Sequence, residues 1–163
     1  MVRWQSVVDA DPVFAAGVQR RFDAQKHKLL ATLRADGSPR LSGIEATFRD
    51  GDLWLGMMPG SAKAADLRRD PRLALHTSST DPDEADPTAW EGDAKLDGTA
   101  EEITDAAGFA RYAGDGSAVE PGAFHLFRVD VTRVTTVRVS GDPPQLVMEI
   151  WQPGSPLRRV ARD

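Results

Sequence analysis

The chain has 163 residues, 40% hydrophobic and 28% charged, which is enough for one domain with a buried core and ordinary for a globular protein. It contains no cysteine, so disulfides, thiolate metal sites and thiol catalysis are excluded. The net charge of −5 is local: residues 79–93, "STDPDEADPTAWEGD", hold six acidic groups and no basic one, leaving 19 acidic against 20 basic elsewhere. No basic stripe suited to a nucleic acid backbone is present. No apolar run nears the ~18 residues of a membrane span. The opening "MVRWQSVVDADP" lacks the blocks of a secretory signal. A single cytoplasmic domain spanning 1–163, with no nucleic acid and no membrane among its partners, is the expectation.

Asp11-Pro12 forms an N-cap and first-turn pair. It opens a predicted helix to about Gln25, with Phe14, Val18 and Phe22 spaced by four on one face. The period then changes. "KLLATLR" (28–34), "PRLSGIEATF" (39–48) and "DLWLGMM" (52–58) read as strands joined by Asp-Gly hairpin turns. A short helix is predicted over 61–70, with Ser61 as N-cap and Pro71 as its stop, followed by the strand "RLALHT" (72–77). After the acidic loop come "AKLDGTAEEI" (94–103) and a short helix from Thr104 to about Tyr112. Strands at 123–131, 133–139 and 145–152 follow, with a basic tail, "PLRRVARD". This order lacks the alternation of a doubly wound sheet. Seven or eight mostly antiparallel strands in one domain predict a mainly β fold, a barrel with a few peripheral α-helices.

Few constellations point to protein-borne chemistry. His27, His76 and His125 show no metal-ligand spacing. His125 shares a strand face with Phe127, Val129 and Val131 and reads as a satisfied core histidine, while His76 ends a strand where it would border a site. There is no G-x-S-x-G elbow, and adjacent acids such as Glu101-Glu102 read as solvated. No catalytic residue and no metal site is assigned.

One residue breaks a local rule. Lys63, the only lysine between residues 29 and 94, occupies the first turn of the predicted helix, against the positive end of its dipole. That position favours an acid by ~0.3–1 kcal/mol, and Ala64 stands where a capping box would place Glu or Gln. "GSAK" (60–63) misses the spacing of a nucleotide-binding P-loop. Strand, glycine turn and helix start nevertheless gather free N–H groups around an anion. A cation there is costly against an empty dipole and useful beside a phosphate. The bland reading, a solvated lysine on a short helix, has about equal weight from these residues alone.

The span from Leu29 to His76 resembles the pyridoxamine-5′-phosphate-oxidase-like superfamily, the flavin- and deazaflavin-binding split β-barrels. The likeness lies in "ATLRADGSPRLSGIEATF" and in the G-S-x-K-x-x-D-L-x-x-D-P-R pattern of "GSAKAADLRRDPR". It continues in "GTAEEI" (98–103) and in the E-x-W-Q…R-x-x-x-R form of "MEIWQPGSPLRRVAR". The resemblance implies a split barrel that assembles as a homodimer with FMN or a deazaflavin of the F-420 type at the interface. It places Gly60, Ser61 and Lys63 at the cofactor phosphate. It lays Ser42, Gly43, Ile44, Gly56 and Met57 along the ring and its side chain, and brings Lys95 and Trp151 from the partner subunit. It further implies an oxidoreductase passing a hydride to or from a small organic substrate. The alternative is a non-catalytic flavin- or tetrapyrrole-binding module on the same barrel. Ala62, Ser42 and Thr47 stand where the oxidases carry basic phosphate ligands, and Val160 where they carry a substrate-binding histidine. Pyridoxamine phosphate oxidation itself is therefore not expected.

Overall fold

A computed structural model describes residues 1–78, 81–114 and 119–162. Its helices are α1 (Trp4–Ala10), α2 (Pro12–Asp23), α3 (Ala62–Arg69) and α4 (Ala106–Ala113). Its strands are β1 (Lys28–Leu33), β2 (Pro39–Ile44), β3 (Ala46–Arg49), β4 (Asp52–Met57), β5 (Arg72–Thr77), β6 (Asp93–Ile103), β7 (His125–Ser140), β8 (Gln145–Trp151) and β9 (Arg158–Arg162). The expected N-cap holds: the Asp11 carboxylate accepts from the Phe14 N–H at 2.9 Å, and Phe14, Val18 and Phe22 are buried along α2. Just beyond that helix, Lys28 is only 4% exposed and donates to the Gln25 and Lys26 carbonyls. α1 had no sequence signal. It is seven residues long, has no side-chain cap, and buries only Trp4 and Val7.

The sheet runs β2-β1-β5-β6-β7-β4-β3, with β8 beside β7 and β9 beside β8, and every pairing is antiparallel. β2 and β3 lie at opposite ends of the main path, yet Glu45 alone separates them in the chain. The run 39–48, expected as one strand, therefore leaves one end of the sheet and enters the other. The sheet curls without closing, the mainly antiparallel split barrel that was expected.

Three further differences from the sequence reading have physical causes. The two strands expected at 123–131 and 133–139 are one, β7, whose first half bonds β4 and whose second half bonds β8. β6 pairs with both halves, and the register slips between Asp97 and Gly98, where Thr132 is the extra residue. This bulge is what interrupts the alternation. Gly98 is required there, since a Cβ would sit 2.4 Å from the Asp130 carbonyl oxygen. The basic tail forms β9, which pairs with β8 and brings the described residues to nine strands instead of seven or eight. The acidic segment contains a single 3-10 turn, Pro87–Ala89, and Asp93 already belongs to β6; Ser79 and Thr80 lie outside the described residues.

Cross-strand register defines the two faces. Ser42, Leu30, Leu75, Leu96, Val134 and Trp151 pair in turn and point inward, and all but Ser42 are in the main core. Trp4 and Phe22 close that core against Phe48, with ring centroids 4.5 and 5.3 Å away. A second small core, Trp54, Phe109 and Leu126 with Tyr112 and Phe124, lies beneath α4. Among the described residues no helix is long and apolar enough to cross a membrane.

Candidate functional site

The break between β4 and α3 is built by local chemistry. Gly60 has φ +73°, a conformation that disfavours any side chain. Ser61 follows with extended geometry, and its carbonyl accepts from the Ala64 and Ala65 N–H groups, so it is the N-cap by backbone. Its hydroxyl makes no capping hydrogen bond, contrary to the usual use of serine there. The first N–H groups of a helix have no acceptor within it. The Ser61, Ala64 and Ala65 N–H groups are paired, so the start of α3 presents the Ala62 and Lys63 N–H groups as free donors together with an uncommitted hydroxyl.

Lys63 lies in this first turn, half-buried, and its ammonium donates to the Gly43 carbonyl of β2 at 2.6 Å. It makes no ion pair with any described carboxylate, and burial lowers its pKa from the ordinary 10.5. The solvated-lysine reading is therefore wrong in one respect, because the side chain is anchored. An ammonium carries three donors, so one bond to Gly43 leaves two for an anion. Farther along α3, Asp66 is 3% exposed and accepts from Thr32 Oγ1 at 2.9 Å, Arg40 Nε at 2.6 Å and Arg69 at 3.0 Å. Burial alone would raise its pKa, but these donors hold it below the usual carboxylate value. They fasten α3 to β1 and β2, and so fix Lys63 beside the sheet.

On the outer face, Gly43, Leu29, His76 and Lys95 pair across β2, β1, β5 and β6 in one row. Leu29, Ala31, Leu41, Ala74, His76 and Lys95 line a shallow depression of 330 Å³ there. Leu41 is 71% exposed, unusual for a leucine at mid-strand. His76 lies 3.5 Å from the Asp93 carboxylate and does border this depression. Leu29 and Leu41 were not singled out from the sequence. The available signal was that "KLLATL" is apolar on both faces, the pattern of a strand covered twice.

The remaining candidates scatter. Ser42 and Ile44 point inward, Ile44 into the core. Met57 is 3% exposed in the main core, while Gly56 faces Phe124 and Tyr112 under α4. Trp151 is buried in the core of its own chain, also 3% exposed. Gly43, Gly60, Ser61 and Lys63 are brought together, with Lys95 on the same outer face as Gly43. His125 does share its face with Phe127, Val129 and Val131. It stands half-buried at the rim, where Nδ1 is 2.9 Å from Arg68 and 3.4 Å from Glu102. It is satisfied by charged neighbours and not by the core.

Residues 16–138 match the sequence model of the pyridoxamine 5′-phosphate oxidase family. No curated protein matches the sequence. Among solved structures, the chain is similar to a pyridoxamine 5′-phosphate oxidase-related, FMN-binding protein from Nostoc punctiforme, with a TM-score of 0.63 at 15% identity over 98% of this chain and 99% of that one. PhzG from Burkholderia lata, solved with tetrahydrophenazine-1-carboxylic acid, gives a TM-score of 0.59 at 13% identity over 96% and 91%. A conserved hypothetical protein from Mycobacterium tuberculosis gives 0.55 at 22% identity over 73% and 81%.

Proposed function

The chain belongs to the pyridoxamine 5′-phosphate oxidase family, and from that premise we propose that it is a flavin- or deazaflavin-dependent oxidoreductase that works as a homodimer. The observation that carries this reading is Lys63, a half-buried cation with no carboxylate partner at the N-terminal turn of α3. With the Ser61 hydroxyl and the first helix N–H groups, it forms a donor set suited to an oxyanion such as a phosphate. These residues fit the phosphate of FMN or of an F-420-type coenzyme. The ring, when bound, supplies hydride transfer to or from a small organic substrate.

The protein's own part is placement. Gly43, next to Lys63 and without a side chain, leaves the edge of β2 open to close approach; a Cβ there would meet nothing within 4 Å. The apolar outer face around Leu29 and Leu41 is the surface on which a second copy would close, excluding water and adding Lys95 from the partner. Trp151 has no part in this scheme. Ala62, Ser42 and Thr47 bring no positive charge to the site and Val160 no substrate hydrogen bond, which argues against pyridoxamine phosphate as the substrate. A visible spectrum of the purified protein, with mass spectrometry of what denaturation releases, tests the reading. Protein that carries no flavin or deazaflavin and gains none on incubation with either would overturn it.

A further inference from the structure

A cavity of 430 Å³ lies between α2, residues 88–91 and the inner face of the β7–β8 ribbon, and it shares no lining residue with the α3 site. Its size falls in the range of small-molecule pockets. Three guanidinium groups, Arg20, Arg21 and Arg138, and three carboxylates, Asp11, Glu91 and Glu149, line it; Asp11 is already engaged in capping α2 through the Phe14 N–H. None of the six makes an ion pair among the described residues. Arg21 uses one N–H on the Gly17 carbonyl at 2.9 Å, while its buried Nε has no partner. The Thr136 hydroxyl, on a residue only 2% exposed, also lacks one.

Charges of both signs around one space ordinarily collapse onto each other, since an unpaired buried polar group is costly. Here α2 and the β7–β8 ribbon hold them apart. Water can serve Arg20 and Glu91, which are exposed. The deeper wall, Thr136 with the half-buried Arg21, Arg138 and Glu149, is what needs an occupant. Neither a simple anion nor a simple cation would satisfy it, because each would leave the opposite charges unmatched.

We propose that this cavity binds a small zwitterion of the amino acid class. Its carboxylate is taken by Arg21, Arg138 and the Thr136 hydroxyl, and its ammonium by Glu149 and Glu91. The site stands whether or not α3 holds a cofactor phosphate.

The test is calorimetric titration of the purified protein with the L-amino acids, β-alanine and γ-aminobutyrate, with acetate, phosphate and ethylammonium as single-charge controls. At least one zwitterion is expected to bind with Kd under about 5 mM, and each control at least about tenfold more weakly. Arg138→Gln should weaken that zwitterion about tenfold or more. Thr136→Val keeps the shape and removes the orphan hydroxyl, so the empty variant should melt no lower than the parent while its affinity falls about three- to tenfold. The proposal is overturned if no zwitterion binds under about 5 mM, if a single-charge control binds as well as the best one, or if both variants leave the affinity unchanged.

Discussion

Lys63 gives the sharpest experiment, because its effects on ligand affinity and on stability have different origins. Replacing it with alanine removes the ammonium contact to the Gly43 carbonyl, 2.6 Å long but half-exposed to solvent. A fully buried charged hydrogen bond is worth ~1.5–3 kcal/mol, and exposure brings this one nearer ~1 kcal/mol. The same substitution relieves the cation of its position at the positive end of α3, a gain of ~0.3–1 kcal/mol. The two terms oppose, so the empty protein should change by less than about 1 kcal/mol, a shift of at most ~4 °C in melting temperature. A bound phosphate has no such compensation. Losing its charge-assisted partner costs ~1.5–3 kcal/mol, or about ten- to hundredfold in Kd.

Lys63→Gln separates the terms further. It keeps an N–H donor for Gly43 and drops the charge, so stability should hold while affinity falls nearly as far as in the alanine variant. Lys63→Glu should favour the empty helix and repel the phosphate most. Burial lowers the Lys63 pKa below 10.5, so its contribution to anion binding is lost as pH rises through that depressed value, earlier than for an ordinary lysine. Fluorescence or calorimetric titration with FMN and with an F-420-type coenzyme, beside thermal melts of the empty variants, reads both quantities. Unchanged affinity for both coenzymes in Lys63→Ala would refute the phosphate-site reasoning.

Other expectations rest on separate contacts. Asp66→Asn should destabilise the protein at pH 7 by about 1–3 kcal/mol, since a buried carboxylate loses charged donors. The folded pKa of Asp66 is depressed, so its stabilisation is present above the unfolded carboxylate value of 3.8 and fades as pH falls through the folded one. Melting curves of parent and variant should therefore converge in acid, and a constant gap down to pH 2 would count against the network. Gly98→Ala should cost about 1–3 kcal/mol or more in urea denaturation, because its Cβ meets the Asp130 carbonyl at 2.4 Å; an unchanged midpoint would contradict the bulge. Sedimentation equilibrium should give a dimer whose interface is on the order of 2,000 Å², and Leu41→Lys should dissociate it. A parent protein that is monomeric at micromolar concentration would remove the partner-supplied Lys95. With FMN added, pyridoxamine phosphate should yield no efficient pyridoxal phosphate production in a direct assay.

The parts of the fold that were legible are those fixed by neighbouring residues. Asp11-Pro12 starts α2, Asp-Gly pairs turn β1 into β2 and β3 into β4, and Pro71 stops α3. What was not legible depends on distant strands. The bend at Glu45 exists because the sheet must place β2 and β3 at opposite ends of its path, and no residue within 39–48 announces it. β9 is a strand only because β8 offers an edge, so "RRVAR" by itself reads as a tail. α1 buries two residues against a core the rest of the chain supplies.

The same distinction divides the candidate site. Alternation along a strand shows that Ser42 and Gly43 face opposite ways, but not which way is inside, because a register shift of one residue exchanges the faces. The sequence motif therefore grouped Gly43 with Met57 and Trp151, which the register sends into the core. Lys63 escaped this ambiguity because the anomaly it signals, a cation in the first turn of a helix, involves only residues within four positions of it. The geometry then adds what the motif lacked, the Gly43 carbonyl, 20 residues earlier in the chain. That bond holds the cation at the helix start when no anion is present. Its reach is then set before binding, and less side-chain entropy is lost when a phosphate arrives. On the proposed reading, a lysine kept in place at an unfavourable end of a dipole is what a phosphate site of low intrinsic charge requires.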